Sequence, residues 1–175
     1  PVFVAPEDAA NAARECAQDA RDLDELAARL SAFEHAPFRD AARHFLFCAG
    51  TAGAPLMVLH TAPDATEEST GEAFSGLAAT LLDAMLAAIS RDRKSAYLAY
   101  FAPWRPPGDK ALTPQETSIL APFARRHVEL ARPEVLLLFG DAPARALLET
   151  NDTASKLRGK CYEIRFGAHV SDAFV

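Results

Sequence analysis

Cysteine is scarce and scattered in this sequence. The three cysteines, Cys16, Cys48 and Cys161, are odd in number, form no CxxC pair and have no histidine at metal-ligand spacing. This pattern argues against a disulfide framework and gives no sign of a zinc site. We therefore expect the three thiols to behave as small, buried hydrophobic side chains.

Long apolar runs and an excess of positive charge are also missing. No stretch approaches the roughly 18 uninterrupted apolar residues of a transmembrane helix, and the N-terminus lacks the layout of a signal peptide. We expect a cytoplasmic protein with no membrane partner. The formal charge of −6 repels a polyanion at long range, so binding of nucleic acid would need a local basic surface.

Several motifs of common enzyme classes are absent too. The chain has no GxGxxG for a dinucleotide and no GxSxG nucleophile elbow. Gly159-Lys160 is followed by cysteine, where a P-loop has serine or threonine. These absences count against dehydrogenases, hydrolases of the nucleophile-elbow type and P-loop NTPases.

What is present fits one globular domain. The chain has 175 residues, 50% of them apolar, which suits one core and would crowd two domains. We predict a single domain over residues 1–175, and we expect it to be a monomer.

Helical and strand patterns alternate along this domain. Leucines at helical spacing predict an amphipathic helix within the first thirty residues, and an apolar run predicts a strand at 55–59. A polar loop over 60–71 and a second helical pattern over 77–89 follow. The aromatic-rich stretch 96–101 predicts a strand that ends in a proline-broken, rigid loop.

The second half of the chain repeats this alternation. Thr113, Pro114 and Glu116 form an N-cap signature for a helix that should reach about residue 131. Strands are predicted at 135–139 and 161–166, with a helix over 144–148 capped by Asp141 between them. Strands alternating with helices predict a three-layer α/β/α sandwich around a mainly parallel, four-stranded sheet. Ligands bind at the carboxyl ends of such strands.

The segments after these strands resemble a known family. The segment HTAPDATEESTGEAFSG, which starts at His60, resembles GE(A/G)PGxxEDxxGxPFVG of the family 4 uracil-DNA glycosylases. Its residues in register are Pro63, Glu67, Gly71, Phe74 and Gly76.

Three further motifs follow in the family's order. Trp104-Arg-Pro-Pro-Gly-Asp-Lys110 with Thr113-Pro114 resembles RPPGNRxPTPxE, and the segment 132–148 resembles PKVxxxLGxxAxxALL. Leu157-Arg-Gly159 matches LRG. The resemblance spans roughly residues 23 to 169 and implies the sandwich fold of this superfamily, with DNA containing a damaged base as the partner.

The chemistry of such an enzyme defines four roles in the site. It extrudes a nucleotide, holds the base in a tight pocket and breaks the N-glycosidic bond, so that uracil leaves as an anion. An aromatic plate stacks on the base and an amide reads its edge. A donor stabilises the oxyanion, and a carboxylate orients water or balances the charge of the sugar.

The resemblance places two of these roles in base binding. The aromatic plate falls on Phe74, for which an ordinary core phenylalanine is the alternative. The base-reading asparagine falls on Tyr100, which offers a single hydroxyl. The backbone N–H groups from Ala62 through Pro63 to Asp64 are expected to face the base carbonyl.

The other two roles fall on candidate catalytic residues. The family's carboxylate falls on Thr61, which carries no charge. Asp64, with Glu67 and Glu68 after it, could substitute, or these residues form a solvated acidic loop. The late histidine that donates to the oxyanion would correspond to His169.

The family's iron-sulfur cluster has no ligands in this sequence. Family 4 enzymes hold a 4Fe-4S cluster on four cysteines, but the matching stretches here are 33–38, Trp104 and 119–120, which contain no cysteine. We therefore predict no metal and no other cofactor. Apolar packing by Phe33, Phe38, Trp104 and Leu120 is expected to fill the volume.

A local basic surface can still be assembled from loops near the presumed active face. Solvated charge is the alternative for each of these residues. The predicted phosphate contacts are Arg105, Lys110, Lys156, Arg158 and Lys160.

Three functions remain open at this point. The first is an N-glycosylase for a deaminated base whose activity is weak, shifted or lost. The second is a nucleic-acid-binding homologue without chemistry, and the third is a protein-interaction role on a repurposed scaffold.

Overall fold

The computed structural model describes residues 6–175, apart from the side chains of Pro6 and Leu77. Within this range the strands are β1 (Cys48–Gly50), β2 (Leu56–His60), β3 (Ala96–Tyr100), β4 (Val135–Phe139), β5 (Cys161–Phe166) and β6 (His169–Phe174). The helices are α1 (Pro6–Gln18), α2 (Leu23–Ala32), α3 (Ala65–Thr70), α4 (Gly76–Ala88), α5 (Pro114–Ala131), α6 (Asp141–Leu148) and α7 (Ala154–Leu157). A 3-10 turn covers Pro107–Asp109.

The strands form one mainly parallel sheet in the order β1-β3-β2-β4-β6-β5. Strands β3, β2, β4 and β6 are parallel to one another, and β1 and β5 add antiparallel edges. The predicted α/β architecture is confirmed, with two strands more than expected. The strand predicted at 161–166 is the antiparallel edge strand β5, and the fourth parallel strand is β6.

Alternation along the strands divides the core between the two faces of the sheet. Met57 and Leu59 of β2 belong to the apolar cluster beneath α1, α2, α5 and α6. Leu56 and Val58, one residue out of phase, pack with Leu82 and other side chains of α4. Because successive side chains of a strand point to opposite faces, an apolar run buried on both faces is what a central parallel strand requires.

Helix α5 begins and ends as its sequence predicts. Thr113 accepts a hydrogen bond from the Glu116 amide, and the Glu116 carboxylate accepts from the Thr113 amide, so the capping box is complete. Pro114 occupies the first turn, where backbone N–H groups have no intrahelical acceptor. The N–H that proline lacks therefore costs the helix no hydrogen bond. The helix ends at Arg132, whose φ of 52° is left-handed.

Some expectations about local structure were wrong. The amphipathic pattern near the N-terminus belongs to two helices, because Asp22 caps a new helix, α2, with its carboxylate on the Glu25 amide. The loop expected over 60–71 contains the short helix α3. Cys48 and Cys161 are exposed on edge strands and Cys16 is half-buried, so the three thiols are not core residues.

None of the helices within residues 6–175 is both long and apolar enough to cross a membrane.

Candidate functional site

A small cleft lies at the carboxyl edge of the sheet, where three parallel strands end side by side. His60 ends β2 and pairs in register with Tyr100 of β3 and Phe139 of β4. These three side chains and Phe74 line a cleft of about 200 Å³ beside α4. Its other lining residues are Asp64, Glu67, Ala78, Ala79, Leu81, Leu82 and Met85.

Phe74 forms an inner wall of this cleft. It precedes α4 with a left-handed φ of 54°, an uncommon conformation for a bulky residue. Its ring stacks on the ring of Tyr100, with 4.4 Å between the centroids and 15° between the planes. Both residues are buried within the apolar cluster under α4. Phe74 is thus a core residue and a cleft residue together.

Tyr100 connects Phe74 to a buried carboxylate. Its hydroxyl accepts a hydrogen bond of 2.9 Å from the Phe74 amide and donates one of 2.6 Å to Glu67 Oε1. Burial, with a further contribution from the bond to Glu67, raises the pKa of the phenol well above its ordinary value. The hydroxyl therefore remains protonated and can donate at neutral pH.

The two acidic residues of this segment have different positions. Asp64 is the N-cap of α3, where its Oδ1 accepts from the amides of Thr66 and Glu67 at 2.8 and 2.9 Å. Glu67 is buried, and its Oε2 accepts from the Asp64 amide at 2.7 Å while its Oε1 meets Tyr100. Both residues line the cleft, but the buried carboxylate is that of Glu67, while the carboxylate of Asp64 caps α3.

His60 is a cleft residue that the sequence analysis did not single out. Its Nδ1 lies 3.0 Å from the Ala62 carbonyl oxygen, which can only accept, so Nδ1 carries the proton and Nε2 retains a lone pair. Burial lowers the pKa of His60. The ring is therefore neutral at pH 7. Its position as the last residue of a buried strand was the signal that could have identified it.

Thr61 faces the opposite side of the sheet from His60. Its Oγ1 donates a hydrogen bond of 3.1 Å to the Phe139 carbonyl oxygen. It lines a separate groove of about 640 Å³ between α5 and α6, along with Thr117, Asp141 and Arg145. The structure thus does not bring Thr61 together with Phe74, because strand alternation directs neighbouring side chains to opposite faces.

The backbone expected to face a base carbonyl is largely committed elsewhere. Pro63 has no N–H, and the Asp64 amide donates to Glu67. The Ala62 carbonyl accepts from His60. Pro63 and Asp64 therefore provide no amide for a base carbonyl, so the predicted group of donors from Ala62 to Asp64 is not formed.

His169 lies at the other edge of the sheet. It is the first residue of β6, whose register places Asp172 beside Val135 at the start of β4. Its Nε2 lies 2.7 Å from the Pro133 carbonyl oxygen and 3.1 Å from Ser171 Oγ. The expectation that His169 donates to an oxyanion at the cleft is wrong for this geometry. The residue at the cleft edge of β6 is Phe174, which pairs with Leu137 of β4.

Comparison with known proteins gives this arrangement a context. The family model described as the uracil DNA glycosylase superfamily matches residues 47–173, a range that begins just before β1 and ends one residue before the end of β6. The chain belongs to the uracil-DNA glycosylase superfamily.

Two relatives of this superfamily member illustrate the similarity. The chain is 32% identical over 126 residues to the type-4 uracil-DNA glycosylase of Archaeoglobus fulgidus, a match that covers 69% of this chain and 63% of that protein. It is 28% identical over 114 residues to the type-4 enzyme of Pyrobaculum aerophilum, covering 63% of this chain and 58% of that protein. The chain thus matches less than two thirds of the length of either relative.

Four of the predicted basic contacts lie on segments near the carboxyl edge of the sheet. Lys110 lies on the loop that follows β3, and Lys156, Arg158 and Lys160 lie just before β5, whose first residue pairs with Phe174 at the end of β6. All four side chains are exposed. The structure therefore gathers these predicted contacts near one edge.

Arg105 also follows β3, but its charge is compensated. Its guanidinium donates to Glu68 Oε2 at 2.9 Å and to both carboxylate oxygens of Asp109 at 2.7 and 2.9 Å. The same guanidinium holds the pKa values of Glu68 and Asp109 below their ordinary range. A phosphate would have to compete with two carboxylates for this side chain.

The superfamily member does not offer ligands for the iron-sulfur cluster that its resemblance to family 4 implies. Cys16, Cys48 and Cys161 lie on α1, β1 and β5, and within residues 6–175 no three His, Cys, Asp or Glu side chains are placed to hold a metal ion. The residues present do not fit the cluster.

The positions that match the family's cluster ligands are occupied by apolar packing. Trp104 and Leu120 are buried in the apolar core between α5 and the sheet, and Phe33 and Phe38 pack against this core. The Trp104 ring lies 5.0 Å from that of Phe45, within the range of favourable aromatic pairs.

Proposed function

We propose that this chain is the glycosylase-like domain of a DNA-repair protein, which engages a nucleotide extruded from DNA. Its superfamily membership carries this proposal, supported by a cleft at the carboxyl edge with an aromatic wall and a buried carboxylate. A base taken from the stack needs a narrow pocket with a flat aromatic surface and fixed polar partners. The rings of His60, Tyr100 and Phe139 and the Glu67 carboxylate provide these elements along the cleft, whereas the Phe74 face is covered by Tyr100.

Cleavage of the N-glycosidic bond would place a positive charge on the sugar and a negative charge on the base. The groups in the cleft suited to this reaction are the carboxylate of Glu67 and the neutral imidazole of His60. A neutral imidazole with a free Nε2 can accept a proton from water, which a threonine hydroxyl cannot do at neutral pH. We assign the water-orienting role to His60 in place of Thr61.

The phosphate contacts follow from the exposed basic residues at the same edge. Lys110, Arg158 and Lys160 can each neutralise a phosphate, whereas the overall charge of −6 opposes long-range attraction. Binding should therefore be modest and should weaken steeply with salt.

We further propose that the protein folds and acts without an iron-sulfur cluster. The packed aromatic side chains at the cluster position supply the apolar contacts that would stabilise this region. Elemental analysis of protein purified without oxygen should find no stoichiometric iron, and the visible spectrum should lack the broad absorbance of a cluster. Iron at four atoms per chain would overturn this proposal.

A second candidate function is DNA binding without base release. The observation that favours it is the stacking of Tyr100 on Phe74, which leaves no space for a base on that face of the ring. The uncharged Thr61 at the position of the family's carboxylate points the same way.

One assay separates the two functions. The full chain is incubated with single- and double-stranded oligonucleotides that contain uracil, hypoxanthine or xanthine, and strand cleavage at abasic sites is measured after alkali. Abasic product that is lost in His60→Ala supports the glycosylase. Salt-dependent binding with no abasic product supports the DNA-binding homologue. Failure to bind DNA at low salt refutes both and favours a protein-interaction role.

A further inference from the structure

The Tyr100 side chain occupies a place in which a flat ligand would fit. Its ring lies parallel to that of Phe74 at stacking distance, and its hydroxyl satisfies one N–H donor, from Phe74, and one carboxylate acceptor, from Glu67. Both partners are buried. The Tyr100 side chain therefore covers the face of the Phe74 ring and also takes up both the Phe74 amide donor and the Glu67 carboxylate acceptor.

These three features together describe a chemical class of ligand. A planar lactam presents a carbonyl oxygen, which accepts a hydrogen bond, beside a ring N–H, which donates one. The Phe74 amide could meet the carbonyl, the Glu67 carboxylate could meet the N–H, and the Phe74 ring could stack on the plane. The Tyr100 phenol occupies the position that such a ligand would need.

We infer that Tyr100 is an internal plug, which closes the Phe74 wall of the cleft to planar lactams and so determines what this site can hold. The inference concerns the same cleft as the proposed function and rests on that function in no other respect. It adds that the unaltered chain does not stack a base on Phe74, and that the capacity to do so lies beneath one side chain.

The plug is fixed in place by its surroundings. Tyr100 is 3% exposed and is the last residue of a central strand, and its backbone is held by pairing with His60 of β2 and by the hydrogen bond from its amide to the Phe47 carbonyl. If the phenol moved away, the Phe74 amide and a buried carboxylate oxygen would each lose a partner. Ligand binding would have to replace both hydrogen bonds, which a lactam could do only after the ring had left.

The test removes the ring and offers the ligand as a free compound. Tyr100→Ala is titrated with uracil by isothermal titration calorimetry, and the unaltered protein is titrated in parallel. We expect binding by Tyr100→Ala and none by the unaltered protein up to the solubility limit of uracil. The analogue 1,3-dimethyluracil, which lacks N–H groups, should bind about tenfold more weakly or worse, because a hydrogen bond to a charged group is lost.

Two further variants control for cavity formation. Tyr97→Ala removes another buried tyrosine from the same strand, one that faces the opposite side of the sheet, and it should not bind uracil. Adding Glu67→Ala to Tyr100→Ala should abolish the preference for uracil over its dimethyl analogue. A preference that survives Glu67→Ala would contradict the assignment of the carboxylate.

The inference is overturned if folded Tyr100→Ala fails to bind uracil, or if the unaltered protein binds it equally well. If Tyr100→Ala does not fold, Tyr100→Asn takes its place, since it also vacates the ring position while keeping a polar side chain. The unaltered protein gives an independent measurement by NMR. Its Phe74 amide resonance should not shift in saturating uracil, and a shift of that resonance would refute the plug.

These outcomes are distinguishable from failure of the proposed function. Binding of a free base requires neither DNA nor bond cleavage, so a protein that releases no base from oligonucleotides can still show the predicted contrast between Tyr100→Ala and the unaltered chain. Conversely, base release by the unaltered protein together with a shifted Phe74 amide would support the glycosylase and refute the plug.

Discussion

The side chain of Thr61 fills the space above Gly140 that a Cβ atom there would need. A Cβ built on Gly140 would overlap Thr61 Oγ1, and the same hydroxyl donates to the carbonyl of Phe139. The Thr61 amide donates to that carbonyl as well. A residue expected to act in catalysis instead joins the end of β2 to the turn after β4.

This contact predicts a strong effect of a small substitution. Gly140 has φ 107° and ψ 169°, a region that is essentially restricted to glycine. Gly140→Ala adds backbone strain and steric overlap, so we expect a loss of about 2–3 kcal/mol in the free energy of unfolding. Urea denaturation measures it.

Gly53→Ala is the matched control for this strain. Gly53 also has a positive φ, but a Cβ there meets nothing within 4 Å. Gly53→Ala should lower the free energy of unfolding by about 1 kcal/mol. Thr61→Ala combined with Gly140→Ala should recover part of the stability, and equal losses for Gly53→Ala and Gly140→Ala would contradict the proposed overlap.

Removing only the Tyr100 hydroxyl tests the buried hydrogen-bond network. Tyr100→Phe keeps the stacked ring but leaves the Phe74 amide and Glu67 Oε1 without that partner. We expect the free energy of unfolding to fall by about 3 kcal/mol, because unsatisfied buried polar groups retain their desolvation penalty. Chemical denaturation of both proteins measures the difference.

Tyr162→Phe is the corresponding control. Tyr162 is half-buried, and its hydroxyl makes a single hydrogen bond, of 3.3 Å, to the Leu157 carbonyl. Tyr162→Phe should lower the free energy of unfolding by less than about 1 kcal/mol. A Tyr100→Phe protein as stable as Tyr162→Phe would mean that the network contributes little.

A buried histidine outside the cleft should make stability depend on pH. His127 is 2% exposed, its Nε2 lies 2.7 Å from the Tyr97 hydroxyl, and burial lowers its pKa to about 3. Below about pH 6.5 the unfolded chain binds a proton that the folded chain excludes, so stability falls as pH falls from about 6.5 towards 3. Near pH 5 the His127 contribution to this loss should be about 2 kcal/mol.

His127→Gln isolates that contribution. Glutamine can accept the Tyr97 hydroxyl bond but does not titrate, so the variant should show a smaller stability difference between pH 7 and 5 than the unaltered protein. His44→Gln, at an exposed position, should leave the difference unchanged. An equal pH dependence in His127→Gln and the unaltered protein would exclude the buried imidazole as its cause.

The proposed phosphate contacts predict a change in the salt dependence of DNA binding. Lys110→Gln, Arg158→Gln and Lys160→Gln should each weaken binding to all sequences similarly and reduce the slope of log K against log salt by about 1. Fluorescence anisotropy with labelled oligonucleotides over a range of salt gives both quantities.

The opposite edge of the sheet supplies the control. Arg91 and Lys94 precede β3 at the amino edge, away from the cleft, and their replacement by glutamine should change neither affinity nor slope. Arg105→Gln should affect DNA binding less than Lys110→Gln, because Arg105 already pairs with Glu68 and Asp109. A slope insensitive to all three carboxyl-edge residues would place DNA elsewhere.

Much of the fold could be predicted because its signals are local. The capping box at Thr113, the apolar run of β2 and the strand before Gly140 each lie within a few adjacent residues. Strand β6 was missed for the same reason, since His169, Ser171 and Asp172 interrupt its apolar pattern. It is a strand because it pairs with β4 and β5. The turn at Gly167, whose φ is 58°, allows the chain to return from β5 into β6.

The site was predictable only in part. Register placed Phe74, Glu67 and Tyr100 near one strand-end loop, and the structure brings them into contact. Order along the chain predicts the same place for His169, but the β5–β6 hairpin carries it to the far edge. His60 was overlooked because no motif marks it.

The sequence by itself determined where helices begin, which strands are buried and which superfamily the chain resembles, since caps, periodicity and motifs are properties of neighbouring residues. Only the tertiary structure decided that Thr61 faces away from Phe74, that His169 lies at the opposite edge and that Tyr100 covers the aromatic wall. These facts depend on which distant strands pair and in which register, because one residue of register moves a side chain to the other face of the sheet.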